Sequence, residues 1–102
     1  MSRLESLQKL HAADPSDADL PYMIALEHSK QGAHSLAVDW LDKAIAVDVA
    51  HYYAYFQKAR SLSELGEDDA AREAAQAGLK QARADGQTKA ASELQGLLDT
   101  LS

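Results

Sequence analysis

The sequence contains no cysteine and only two prolines in 102 residues. Without cysteine, the chain can form no disulfide, has no thiolate nucleophile and cannot ligate zinc through sulfur. Basic residues are also few, ten against sixteen acidic ones, which gives a formal net charge of −6. Because a phosphate-binding surface needs clustered lysine and arginine, this charge balance argues against nucleic acid as a partner.

Long apolar runs are missing as well. No stretch approaches the roughly 20 consecutive apolar residues of a membrane-spanning helix. The opening residues MSRLESLQKL lack the uninterrupted apolar segment of a secretory signal peptide. These features predict a cytoplasmic protein that has no membrane partner.

The motifs of catalysis and metal binding are not found either. No glycine-rich phosphate loop or G-x-S-x-G nucleophile motif occurs in the sequence. The histidines are scattered and no two have the helix-face spacing of a zinc site; they are His11, His28, His34 and His51. The acidic run 67–69 is typical of a helix start, where negative charge favours the helix dipole. We therefore predict that the chain is not an enzyme and holds no cofactor and no metal.

The residues that are present describe a folded domain. Hydrophobic residues make up 46% of the chain and charged residues 25%, which is ordinary for a soluble globular protein. The length fits a single domain, residues 1–102. Apolar residues recur with a helical period almost everywhere, and no alternating β-branched run marks a strand. The predicted fold class is all-α.

Helix start and stop signals divide the chain into about six helices. Ser2 and Glu5 have the spacing of a capping box at the first start. Asp19 and Thr88 are predicted to cap the second and sixth helices, with Pro21 tolerated in the first turn of the second. Three helix stops are predicted at glycines, which are Gly32, Gly66 and Gly86.

An internal repeat relates the two halves of the chain. Gly32 and Gly66 lie 66 − 32 = 34 residues apart, and their surroundings align without a gap. At the same offset of 34 residues, Ala25 aligns with Ala59 and Ala37 aligns with Ala71. Small residues recur where two helices must approach closely, and glycine recurs where the chain turns between them.

This pattern resembles that of tetratricopeptide repeat proteins, whose unit is a pair of antiparallel helices. The residues that carry the resemblance are Ala25, Gly32, Ala37, Ala44, Tyr55, Ala59, Leu62, Gly66, Ala71, Gly78 and the dipeptide Asp14-Pro15. The resemblance implies a short right-handed solenoid of stacked helical hairpins. Its predicted parts are a leading half-repeat helix at 2–15, repeats at 18–51 and 52–85, and a C-terminal capping helix at 88–100.

Some positions depart from the family pattern. Pro21 replaces a usual aromatic residue, Lys58 a usual leucine and Val49 the closing proline. In the last helix the family register would bury polar residues such as Lys89. A slip of two residues instead buries an apolar set, which is Ala91, Leu94, Gln95 and Leu98. We therefore predict that the last helix is a cap with a polar outer face.

The stretch HYYAYF, residues 51–56, holds four of the six aromatic residues that are not histidine. Helical spacing places Tyr55 with Ala59 and Leu62, which predicts a core position. A neighbouring stripe of α-helical surface corresponds to the concave groove of the family. The resemblance places seven residues in that groove, which are Tyr22, Leu26, Lys30, Tyr53, Phe56, Arg60 and Glu64.

Two interpretations of this stripe stay open. In the first, the rings and charges bind a peptide segment of another protein, since aromatic anchors give affinity and charges give orientation. In the second, Tyr22 and Phe56 only fill the space between repeats. The predicted function is a protein-protein interaction module; the alternative is a structural subunit that assembles through its open ends or the face of Trp40. The expected state is a monomer or weak homodimer.

Overall fold

A computed structural model of the chain describes residues 2–101, so the two ends of the predicted 1–102 domain lie outside the described residues. The described part contains α-helices and no strand. The helices are α1 (Arg3–Ala13), α2 (Asp19–Lys30), α3 (His34–Val47), α4 (Tyr52–Glu64), α5 (Asp68–Ala84) and α6 (Thr88–Leu101). The predicted all-α class is confirmed. None of these helices is both long and apolar enough to cross a membrane.

The helix ends follow from local chemistry. At the start of α1 the Ser2 hydroxyl accepts the N–H of Glu5 at 3.1 Å, as the capping box predicts. Three helices end in glycines with left-handed backbone, and these are Gly32, Gly66 and Gly86, with φ of 76°, 78° and 69°. Only glycine adopts this conformation without a steric penalty, so the 34-residue spacing of the first two sets the length of a hairpin.

The predicted caps at Asp19 and Thr88 are wrong, because each is the first residue of its helix. At α2 the Asp17 carboxylate takes that role and accepts the N–H of Asp19 at 2.9 Å. The Asp19 carboxylate is consequently free to bond elsewhere. It lies 2.9 Å from Nε2 of His51, the residue before α4.

The six described helices pack in chain order and form two layers. Each helix lies against the next, and backbones also approach between α2 and α4 and between α4 and α6. The helices α2, α4 and α6 therefore lie side by side. Residues 18–51 and 52–85 correspond to the hairpins α2–α3 and α4–α5; their division into repeats stays a prediction.

Small side chains allow the close helix crossings. Alanines at the repeat positions are fully buried, and they include Ala37, Ala44, Ala59 and Ala71. The helices α4 and α5 approach closely at Gly78, where an added Cβ atom would lie 2.6 Å from Cβ of Tyr55. The Tyr55 ring is 7% exposed, and its hydroxyl donates to the Val49 carbonyl at 2.9 Å. Tyr55 is therefore a core residue, as predicted.

The last helix packs in the slipped register. Leu94 is 1% exposed and packs with Tyr55 and Leu79, and Ala91 and Leu98 lie partly buried against the same cluster. The polar residues on the other side of α6, among them Lys89, Ser92 and Asp99, are exposed. The outer face of this helix is therefore polar, and its role as a cap of the stack stays a prediction.

Lys58, which replaces a usual leucine of the repeat, and Trp40 both contact side chains of other residues in the chain. Lys58 lies half-buried in α4, and its ammonium pairs with Asp42 of α3 at 2.6 Å. Trp40 is partly buried between α1 and α3. The His11 ring meets its edge with centroids 5.2 Å apart, and Lys43 Nζ lies 4.0 Å from its centroid. The Trp40 ring is thus largely covered by residues of its own chain.

Candidate functional site

The seven residues predicted to line the groove all lie on α2 and α4, the adjacent helices of one layer. A cavity of about 570 Å³ opens between these helices, and we call it the α2/α4 cavity. Its lining consists of Leu26, Ser29, Lys30, His34, Gln57, Arg60, Ser61 and Glu64. Four of the seven predicted residues therefore meet in one cavity, which is within the usual size range of ligand sites. These four are Leu26, Lys30, Arg60 and Glu64.

The three predicted aromatic residues do not line this cavity. Tyr22 is half-buried, and its ring stacks on His51 with centroids 4.6 Å apart. Phe56 is half-buried and packs against the cluster of Tyr55 and α6 residues. Tyr22 and Phe56 therefore pack against neighbouring helices, as the second interpretation of the stripe expects. Tyr53 is 39% exposed, so its ring is accessible.

The environment of Tyr22 keeps its hydroxyl protonated. Burial raises the pKa of Tyr22 above its ordinary value, and a hydrogen bond with the Gln57 side chain opposes that rise. The nearby Tyr53 and Asp19 raise the pKa a little further. The Tyr22 hydroxyl is consequently a neutral polar group beside the α2/α4 cavity, held between α2 and α4.

The charged residues of the cavity differ in how they are paired. Lys30 Nζ lies 3.6 Å from the Glu27 carboxylate, which also accepts the Arg3 Nε at 2.8 Å. The side chains of Arg60 and Glu64, both exposed, form no ion pair or hydrogen bond within residues 2–101. The groove therefore offers one cation and one anion that are not already engaged by the described part of the chain.

His34 and Ser61 were not among the predicted groove residues, yet both line the cavity. His34 begins α3, and it reaches the site because the turn at Gly32 brings the start of α3 beside the end of α2. Ser61 is 3% exposed and forms part of the cavity wall. His34 belongs to a different helix, so the spacing within α2 and α4 could not have indicated it. Ser61 lies three residues before Glu64 on α4, and helical spacing does place it beside that predicted residue.

A second, smaller cavity of about 200 Å³ continues the groove on the far side of α4. Arg60 and Glu64 border it as well, together with Leu97, Thr100 and Leu101 of α6. Arg60 and Glu64 thus border both the cavity between α2 and α4 and the cavity between α4 and α6. In the described part of the chain, no group of three or more histidine and acidic residues could hold a metal ion.

No protein-family model matches the sequence, and no curated protein matches it. Solved structures do match closely. A structure of PcrH in complex with the chaperone binding region of PopD has a TM-score of 0.88 and 18% identity, covering 96% of this chain and 74% of that one. The complex of the TPR2B domain of yeast Sti1 with pHsp70 has a TM-score of 0.89 and 21% identity, covering 96% and 78%.

A further match is a tetratricopeptide repeat domain protein from Salinibacter ruber, with a TM-score of 0.79 and 27% identity over 87% of this chain and 90% of that one. All three likenesses extend over most of both chains. They confirm the helical-repeat fold to which the sequence resemblance pointed.

Proposed function

We propose that this chain, a short protein with the tetratricopeptide repeat fold, binds a segment of another protein in the groove formed by α2, α4 and α6. The observation that carries the proposal is the α2/α4 cavity, which has on its walls the apolar Leu26 and two charged residues, Arg60 and Glu64, that pair with no side chain among residues 2–101. Convergent polar groups such as these can fix the orientation of a bound segment, while Leu26 offers it an apolar contact.

Structures of other proteins with this fold also support the proposal, because they include complexes with partner proteins. PcrH is in complex with a region of PopD, and the TPR2B domain of yeast Sti1 is in complex with pHsp70. The seven predicted groove residues differ in how well their positions support a role in binding. Four border the cavity, which are Leu26, Lys30, Arg60 and Glu64, and Tyr53 is exposed beside it. Tyr22 and Phe56 instead contribute packing.

A partner segment should depend on the residues that are exposed and unpaired. Replacing Arg60 or Tyr53 by alanine removes an anchor without opening a core cavity, so affinity should fall by about 1 to 2 kcal/mol, or roughly tenfold. The matched control is Lys80→Ala, which removes an exposed charge on α5, away from the groove. The measurement is quantitative affinity capture from lysate of the native organism, followed by titration of the captured partner.

A partner that is retained by the parent and by Lys80→Ala, but lost by Arg60→Ala and Tyr53→Ala, supports groove binding. A partner that all variants bind equally well contradicts it. Assembly through the Trp40 face, one form of the alternative, has less support because the Trp40 ring is covered by Lys43 and His11. Assembly through the open ends of the helix stack stays the other form. Sedimentation of the purified chain would test that alternative directly.

A further inference from the structure

We infer that the segment bound in the groove carries an acidic side chain close to an apolar one, with the carboxylate held by Arg60. This inference rests on the proposed function and adds the chemistry of the partner. It concerns an acidic residue within the segment, recognised where α2 and α4 end, beside His34 and Glu64.

The first support is a reversal of charge between the whole chain and the cavity. The chain has sixteen acidic and ten basic residues. Only one acidic residue, Glu64, lines the α2/α4 cavity, whereas two basic residues, Lys30 and Arg60, do. The lining of the cavity thus has the opposite charge balance to the chain as a whole, and its cations, of which Arg60 is the one not engaged by a described residue, are complementary to a negative group.

The second support is that Arg60 is available. Its guanidinium forms no ion pair or hydrogen bond with any other residue of the described range, even though Glu64 lies one helical turn further along α4. An arginine presents a planar fork of donors that matches the two oxygens of a carboxylate. Lys30 is partly engaged by Glu27 and contributes as a neighbouring point charge.

The third support is the apolar surface beside the cation. Leu26 forms part of the cavity wall, and the exposed Tyr53 ring lies on α4 seven residues before Arg60. Seven residues of helix rise by about 10 Å, a distance that about three residues of extended chain can span. A segment that uses both features should therefore carry an apolar residue within about three or four positions of its acidic residue.

The experiment is selection from a displayed library of random ten-residue peptides on three immobilised proteins: the parent, Arg60→Glu and Lys80→Glu. Both variants reverse one exposed lysine or arginine, but only the first lies in the groove. We expect peptides selected by the parent and by Lys80→Glu to be enriched at least about threefold in Asp or Glu near an apolar residue. Arg60→Glu should lose that enrichment or favour basic peptides instead.

The outcomes separate the two proposals. Peptides that are enriched but have no preference for acidic residues, or that keep the preference in Arg60→Glu, overturn the partner chemistry and leave groove binding standing. A loss of the preference in Lys80→Glu as well would assign it to overall charge and also overturn the inference. If the parent enriches no peptide over an empty support, both proposals fail.

A selected peptide then allows a direct measurement of the contact. Replacing its acidic residue by the matching amide should weaken binding to the parent by about two- to fivefold, the range for an exposed ion pair. In Arg60→Ala the same replacement should change binding little, because the partner of the carboxylate is already gone. An equal loss in both proteins would show that Arg60 does not hold the carboxylate.

Discussion

Two tyrosines of α4, separated by a single alanine, have opposite surroundings. Tyr55 is 7% exposed and donates to the Val49 carbonyl, whereas Tyr53 is 39% exposed. Successive helical residues are rotated by about 100°, so a difference of two positions turns a ring from the core to the surface. The two side chains should consequently affect different properties when they are changed.

The first prediction is that Tyr55→Ala destabilises the fold and Tyr53→Ala does not. Truncating a buried aromatic residue leaves a cavity and costs about 3 to 5 kcal/mol, out of the 5 to 15 kcal/mol that is usual for a whole domain. Tyr55→Phe, which loses only the hydrogen bond to Val49, should cost about 1 kcal/mol. Urea denaturation followed by circular dichroism measures all three. Equal unfolding midpoints for Tyr53→Ala and Tyr55→Ala would contradict the assignment.

The second prediction concerns two helical glycines with different neighbours. A Cβ atom at Gly78 would lie 2.6 Å from Cβ of Tyr55, an atom close to the backbone that cannot swing aside, whereas a Cβ at Gly96 would meet nothing within 4 Å. Gly78→Ala should therefore push α4 and α5 apart and cost about 1 to 3 kcal/mol. Gly96→Ala should instead stabilise α6 by about 0.5 to 1 kcal/mol.

Thermal denaturation of both glycine variants checks the sign of each effect. Because the two substitutions are chemically identical, helix propensity alone predicts the same increase in melting temperature for both. A higher melting temperature for Gly78→Ala would show that the crossing of α4 and α5 has room for a methyl group.

Periodicity predicts some of these residue environments and misses others. The spacing of Tyr55, Ala59 and Leu62 predicts a core stripe, and all three are buried. Phe56 lies at the edge of that stripe, and its side chain packs toward α6, a contact that depends on how the last helix docks. Whether a residue at the boundary between two helix faces is buried depends on tertiary packing, and the helical period of the sequence does not predict that packing.

At the scale of elements, side-chain bonds tie the beginnings of helices to other parts of the chain. His51, just before α4, bonds to Asp19 at the start of α2. Tyr52, the first residue of α4, donates to the Asp85 carboxylate at 2.7 Å, and Asp85 follows α5. These bonds fix the first turn of α4 on both sides.

The third prediction is a pH dependence from the bond between Tyr52 and Asp85. The hydrogen bond with Asp85, together with some loss of solvation, raises the pKa of Tyr52 from 10.0 to about 12. In the unfolded chain the hydroxyl ionises near pH 10, so this contribution is complete below pH 10 and is lost as the pH rises toward 12. Tyr52→Phe should therefore lose less stability than the parent across this interval.

Urea unfolding midpoints below pH 10 and near pH 12 measure this difference, with Tyr53→Phe as the control for the loss of a tyrosine. At the acid end, hydrogen bonds from Gln81 and from Tyr52 lower the pKa of Asp85 below 3.8. Its contribution is present above that value and disappears as the pH falls through the lowered pKa. An NMR titration should find the Asp85 pKa higher in Tyr52→Phe than in the parent.

The boundaries of the helices were more predictable than the bonds at their ends. The predicted helix stops at Gly32, Gly66 and Gly86 match the structure, because each of these glycines adopts a left-handed backbone shortly after a helix ends. The acceptor at α2 is Asp17 rather than the predicted Asp19, since two aspartates two positions apart are equally able to cap in sequence terms. The edge contact of His11 with Trp40 joins distant positions and has no local signal.

At the scale of the molecule, the two ends of the helix stack are built differently. The helix α1 contributes one buried side chain, Leu7, and its Leu10 is 55% exposed. At the other end α6 buries Ala90 and Leu94, and Leu98 packs partly against the Tyr55 cluster. The Arg72 side chain of α5 also donates to the Leu101 carbonyl at 3.0 Å. The C-terminal end is therefore more tightly closed than the N-terminal end.

The last prediction is that deleting α6 damages the fold far more than deleting α1. Burying one leucine contributes about 1.5 to 3 kcal/mol to the free energy of unfolding. Removing the apolar side chains of α6 and exposing Tyr55 and Leu79 should therefore cancel most of the free energy of unfolding of a typical domain. A chain that ends at Gly86 should show no cooperative melting. A chain that begins at Asp17 should still melt cooperatively, with a lower midpoint caused by the loss of Leu7. Circular dichroism melts of both deletions are the measurement. A sharp transition in the chain without α6 would contradict the prediction, because it would show that the hairpin α4–α5 folds cooperatively without the last helix.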